Sequence, residues 1–371
     1  MTRARLTGMA VPLVICMALG LAGSSAALPG VRPAAAARHA PRAQRITAKL
    51  GCTQLFGSFG VGRWPPACWR PYGSRSPFNT PIPSDARVSP ESDAIVSYFA
   101  THHWAFSPDR HGNFTIDDRG SRPVYWSNRN DPVVTVRCTG SYSCEHNMRV
   151  HVPPGARPEQ QSDAHMTIID QALGREYDFW RASGPEHGVI TVSAGNSIPI
   201  GAGIGTGIGA VGEAANLGLV GGLIRGAELM RGRIDHALVT TVACVQARDV
   251  WPASGHGDAL CPGGGSGPHF GSLLQLAMSK TQIAATHAPF WQRAVMTAMA
   301  RYGVYVVDTN APGDTELSLI SEDDLSFTAF GYPGPLSRFV GAMGGDGSVA
   351  GVPIPVSRLR VIMPCVPRRT C

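Results

Sequence analysis

The chain has 371 residues, 43% hydrophobic and 16% charged, with 44 glycines and 30 prolines. This excludes a coiled coil and a disordered chain, and the density of turn-forming residues points to β architecture. The formal charge of +6 sits in the first 50 residues, which lack acids; beyond them 25 basic residues face 26 acidic ones, so no nucleic acid partner is expected.

The N-terminus reads as a targeting segment. Arg3 and Arg5 precede an apolar run over 9–21 and small residues over 23–27, the order of a secretory signal peptide cut after Ala27. The run is shorter than the roughly 20 apolar residues of a membrane-spanning helix, so the mature chain is expected to carry no transmembrane segment. Cys16 has a bulky Ile15 before it and the apolar run continues past it, which does not suit a lipid-bearing cysteine. Residues 28–48, rich in Pro, Ala and Arg, read as a disordered tether. Residues 49–371 then form a single β-rich extracellular domain.

Within that domain the first predicted element is a helix over 89–100, with Ser89 as N-cap and Pro90 in the first turn. Runs rich in β-branched and aromatic residues predict strands at 133–137, 166–170, 176–180 and 189–193. The short connection containing Gly174 joins the second and third of these as a hairpin, with 189–193 as a third meander strand. A short helix around Glu228 and strands at 234–242, 273–278 and 304–308 follow. A helix over 289–302 is expected to bury Phe290, Ala294, Val295, Ala298 and Met299, and a last strand lies at 359–363. The fold class this predicts is mainly β: an antiparallel β-sandwich, jelly-roll-like, with a few inserted helices.

Eight cysteines lie outside the signal segment: Cys52, Cys68, Cys138, Cys144, Cys244, Cys261, Cys365 and Cys371. Sequence does not choose among the possible connectivities. They nevertheless fall as four local pairs, 16, 6, 17 and 6 residues apart, and local disulfides suit an oxidising extracellular compartment. Zinc sites need tight CxxC pairs, which are absent, so no metal is expected.

Gly207-x-Gly209-x-x-Gly212 matches the dinucleotide fingerprint in form. The strands before it read as antiparallel rather than as a parallel βαβ unit, so the glycines are expected to pass close to other backbone or to form a mobile lid. No cofactor is expected. There is no HExxH, no P-loop, and Gly264 to Pro268 fails as a nucleophile elbow.

The candidate catalytic residues are His165, Asp170, Glu176, Asp178, Asp235 and His236. Glu176 and Asp178 lie two apart on one strand, so both face the same side, as does Trp180. If His236 shares that face, two carboxylates and an imidazole can cleave a glycosidic bond, by hydrolysis or by elimination. Arg225, Glu228 and Trp180 are candidate substrate-binding residues, with Trp180 stacking on a sugar ring. The plainer reading is a solvated carboxylate pair, a structural His236 and an Arg225–Glu228 ion pair.

The segments SPFNTPI, HMTIID, EYDFW, GLIRGAEL, RIDHALVTTV, DVWPA and RYGVYVVD, in this order across residues 76–325, resemble a group of secreted bacterial proteins. The resemblance implies secretion and a shared scaffold, and brings no activity with it. It places Asp170, Glu176, Arg225, Glu228, Asp235 and His236 in the segments that define the group. The reading is a secreted protein acting on an extracellular polysaccharide or cell-wall glycan, as hydrolase or lyase; the alternatives are a non-catalytic carbohydrate- or cell-wall-binding protein and a structural or interaction protein.

Overall fold

The computed structural model describes residues 56–102, 113–140, 142–201, 203–207, 209, 212–255, 260–310, 317–343 and 352–363. The predicted signal peptide and tether, with Cys52, Cys365 and Cys371, lie outside them. Helix α1 (Ser92–His102) starts later than predicted because Ser89, Pro90 and Glu91 form a turn, closed by the Ser92 amide on the Ser89 carbonyl at 3.0 Å. It buries Ile95 and Phe99.

Nine strands follow: β1 (Asn113–Arg122), β2 (Val124–Ser127), β3 (Val133–Cys138), β4 (Arg149–His151), β5 (Met166–Asp170), β6 (Arg175–Trp180), β7 (Ser183–Glu186), β8 (Val189–Val192) and β9 (Ala194–Pro199). Then come α2 (Gly226–Arg231), β10 (Leu238–Val242), β11 (Leu273–Leu276), α3 (Lys280–Ala284), α4 (Phe290–Arg301), β12 (Val304–Thr309) and β13 (Ser318–Glu322). Helices α5 (Leu325–Thr328) and α6 (Pro335–Ala342) precede β14 (Val352–Pro353) and β15 (Leu359–Ile362).

The strands form three sheets, none closed, ordered β14-β1-β13-β10-β12-β11-β15, β2-β5-β6-β9 and β4-β3-β8-β7. Strand outweighs helix among the described residues, but pairing is not antiparallel throughout. β1–β13, β10–β12, β2–β5 and β3–β8 are parallel, so all three sheets are mixed. A parallel neighbour needs a long crossover, and for β10–β12 the chain between them carries α3 and α4.

The β5–β6 hairpin is formed as predicted. Its third partner is β9, not the 189–193 run: β8 instead pairs with β3 and β7 in another sheet. Helix α4 buries Trp291, Ala294, Val295, Met296, Ala298 and Met299, whereas Phe290, predicted to be buried, is 42% exposed.

Alternation along β5 and β6 separates two environments. Met166, Ile168, Tyr177 and Phe179 join Val134, Val136, Val150, Ile190 and Val192 of the other four-stranded sheet in one core, so these two sheets pack face to face. The opposite face carries Thr167, Ile169, Glu176 and Asp178. Ile169 there belongs to a larger core shared with the seven-stranded sheet and its helices. Disulfides Cys138–Cys144 and Cys244–Cys261 are formed as predicted, and Cys68 is disulfide-bonded as well.

Candidate functional site: a buried carboxyl cluster

The cluster begins with a row of cross-strand neighbours. Thr167 on β5, Asp178 on β6 and Asn196 on β9 stand in register on one sheet face. The Thr167 hydroxyl donates to Asp178 Oδ1 at 2.7 Å. Glu176, one pleat along, accepts from the Tyr72 hydroxyl and from the Val220 amide at 3.1 Å. Glu176 and Asp178 stand close enough to perturb each other's ionisation. Burial, then the charge of Asp178, pushes the Glu176 carboxyl well up, and burial raises Asp178 as well. The pair therefore favours keeping a proton, because two adjacent buried carboxylates cannot both ionise cheaply.

A second pair faces the first. Glu213, in the segment after the glycine run, lies beside Asp308 on β12, with one oxygen of each within 4.8 Å, and feels the charge of Asp178. Burial, then Asp308, pushes Glu213 well up. The Arg122 guanidinium at the end of β1 lies 3.6 Å from Glu213 and 4.0 Å from Asp308. Glu213 is 4% exposed and neither of its carboxylate oxygens meets a conventional donor; Asp178 Oδ2 and Asn196 Oδ1 are likewise buried without one. The Asp308 side chain, 24% exposed, gives the cluster its opening to solvent.

Gly207 and Gly212 pack closely against this face. A Cβ on Gly212 would lie 2.4 Å from the Asp178 carbonyl oxygen and 2.6 Å from Asn196 Oδ1. One on Gly207 would lie 2.0 Å from Asn216 Oδ1, the atom that accepts from Asn196 Nδ2. The glycines thus allow the backbone to approach the polar face, as the plainer sequence reading has it.

His165 also reaches the cluster. It contributes a ring nitrogen that lies, with one oxygen each of Glu213 and Asp308, in a set of three atoms within 4.8 Å of one another. This donor set could ligate a cation, but Arg122 already supplies positive charge to the same two carboxylates. Burial and then Arg122 push the His165 imidazole well below its ordinary range, so it is neutral.

The other predicted residues fall elsewhere. His236 does not join Glu176 and Asp178: its Nε2 meets Glu228 at 3.2 Å and its Nδ1 the Ala237 carbonyl at 2.7 Å. Strand β10 begins only at Leu238, so the alternation assumed for residues 234–237 does not apply. Glu228 is fully buried; burial favours its neutral form, but Arg225 and His236 outweigh that and hold it well below the usual carboxylate range. Arg225 donates to Glu228 at 2.6 Å and to the Ala67 carbonyl at 2.8 Å, an ion pair that ties helix α2 to the 66–69 segment. It also lines a small aromatic cavity of about 120 Å³ with Trp64, Trp69, Trp126 and Glu322, where burial raises the Glu322 carboxyl to about 8. Asp235 pairs with Arg233 at 2.6 Å and with Arg70 at 3.7 Å.

Asp170 lies on the opposite face of β5 from Thr167. It accepts from the His151 amide and ring and from the Ala172 and Leu173 amides at 2.8–3.0 Å, which fixes the hairpin turn. Trp180 is half-buried, with the Arg181 guanidinium 4.3 Å from its ring centroid, so that face is not free to stack on a sugar. Sequence reasoning missed Tyr72, Arg122, Asn196, Glu213 and Asp308. The signal for Asp308 was an acid closing an otherwise apolar strand within RYGVYVVD. Glu213 follows a glycine run and carried no signal of its own.

Comparison with protein families, curated proteins and solved structures found no match to this chain. Among the described residues no helix is long and apolar enough to cross a membrane.

Proposed function

We propose that this chain is a secreted glycan-cleaving enzyme in which Asp308 and Glu213 exchange protons with the substrate, backed by Asp178 and Glu176. The observation that carries this is the convergence of four carboxyls beside one arginine, with buried carboxylate oxygens left without donors. A fold gains nothing from such an arrangement, because burying a carboxyl without donors costs free energy.

The glycosidic oxygen is a poor leaving group until it is protonated, and a carboxyl kept protonated at neutral pH is the group that can do so. Asp308, at the opening, meets the substrate. The proton that burial keeps on Glu213 passes by way of the Asp308 carboxylate to the leaving oxygen as the carbon–oxygen bond breaks. Arg122 stabilises the charge left on the pair. Water adds to the anomeric carbon, and the proton it releases restores the pair. One oxygen of Glu213 and one of Asp308 lie within 4.8 Å of each other, so this pair works as one proton-exchanging unit rather than as two groups flanking a sugar.

One observation favours elimination as the bond-breaking step. His165 and Arg122 stand at the same carboxyls, and a neutral imidazole beside a guanidinium suits proton abstraction next to a sugar carboxylate. Digestion of neutral and uronate polysaccharides separates the two. Hydrolysis releases reducing ends alone, whereas elimination releases reducing ends with an unsaturated sugar that absorbs in the ultraviolet. Glu213→Gln and Asp308→Asn are expected to abolish either product without loss of fold. Glycan binding with no cleavage of any polymer would replace this reading with that of a binding protein.

A further inference from the structure

A second concavity lies between α3, α4 and the 232–235 segment, an open pocket of about 580 Å³. Arg233, Lys280, Arg293 and Arg301 line it, with Asp235 and Phe290. Asp235 is taken up by Arg233 and Arg70. Lys280, Arg293 and Arg301 have no carboxylate partner among the described residues. Three uncompensated cations around one pocket stand out in a body whose basic and acidic residues otherwise nearly balance, and Lys280 is one of only two lysines in the sequence.

The walls have a second character. Phe290 presents an exposed ring at the N-terminus of α4, where its burial was expected, and Ile283 and Ala294 add apolar surface beside it. An apolar wall rimmed by guanidinium groups suits a ligand with flat carbon faces and carboxylates, since guanidinium forks bind carboxylates in bidentate fashion. The volume lies in the range of pockets that hold small organic ligands.

We propose that this pocket binds the carboxylate-bearing sugars of an acidic glycan, with a ring against Phe290 and carboxylates on Arg293, Arg301 and Lys280. The choice of a glycan rests on the function proposed above; the demand for negative charge does not. The pocket is separate from the carboxyl cluster. It opens at the start of β12, beside Arg301, whereas Asp308 lies toward that strand's far end, with roughly 13 Å of strand between Val304 and Asp308. It would hold a polymer at a distance from the cleavage point.

The test is calorimetric titration of Asp308→Asn protein with hexagalacturonate, with maltohexaose and a short single-stranded DNA as comparison ligands. The expected result is binding of the uronate oligomer alone. That binding should weaken at least tenfold in Asp308→Asn protein that also carries Lys280→Glu and Arg301→Glu, and also when Phe290→Ala is added instead. Arg129→Glu, at an exposed loop position elsewhere, should leave it unchanged. Equal binding of maltohexaose or DNA, or indifference to the charge reversals, would overturn the assignment. Loss of uronate binding by a wild-type chain that still cleaves glycans sinks the pocket alone. Retained binding by a chain that cleaves nothing sinks the proposed activity alone.

Discussion

Glu159 offers a clean measure of what burying a carboxyl beside this site costs. Its backbone amide donates to the His165 carbonyl at 3.0 Å, and its Oε1 accepts from the His165 amide at 3.0 Å, so it brackets the turn that delivers His165. Its Oε2 is buried without a partner. Burial raises this carboxyl from 4.5 to about 7, against the opposing pull of Arg122. Below the lower value the folded and unfolded chains both hold the proton, and the residue carries no penalty. As pH rises toward the upper value the unfolded chain releases its proton while the folded chain keeps it, so stability falls; above the upper value the loss is complete. The difference corresponds to on the order of 3 kcal/mol.

Glu159→Gln keeps the acceptor for the His165 amide and cannot ionise. Urea denaturation of both proteins at pH 4.5 and pH 8 should therefore show wild type losing about 3 kcal/mol relative to the variant over that interval. Any constant offset from the new amide cancels in the comparison, as do the other titrating groups. A gap of equal size at both pH values, or one that moves in wild type's favour, would refute the reasoning.

Gly212→Ala should destabilise by about 1–3 kcal/mol in thermal melts, because its Cβ overlaps the Asp178 carbonyl and Asn196, and activity should fall with it. Glu228→Ala should cost about 3–5 kcal/mol at pH 7, since it leaves Arg225 and His236 facing each other in a buried site. The stability that Glu228 gives is present above its ordinary range, near 4.5, and should fade only as pH drops below that, the opposite trend to Glu159. Replacing Cys244 and Cys261 by Ser opens a loop of 17 residues and should lower stability by about 3 kcal/mol on a chain-entropy view, read by equilibrium unfolding.

Local patterns in the sequence were legible where propensity and packing agree. The β5–β6 hairpin followed from two β-branched runs around Gly174, and the shared face of Glu176 and Asp178 followed from the strand period. β9 was not legible, because Gly195, Asn196 and Ser197 have little strand propensity; pairing with β6 on one side and burial on the other impose the conformation. His236 was misplaced by extending a strand period four residues beyond the strand. Asp308 and Glu213 meet β6 only through the tertiary fold, across sequence separations that no local pattern encodes. The parallel pairs were missed for the same reason, since each joins segments far apart in the chain.

The cluster is proposed to cleave glycans through Asp308 and Glu213. The direct measurement is product release from a panel of neutral and uronate polysaccharides by wild type, Asp308→Asn, Glu213→Gln and His236→Ala, with melting temperatures recorded for each. Wild type should release oligosaccharides, the two carboxyl variants should release none while melting within a few degrees of wild type, and His236→Ala should lose stability but keep turnover in proportion to its folded fraction. Full activity in folded Asp308→Asn or Glu213→Gln, or folded His236→Ala without activity, would contradict the account.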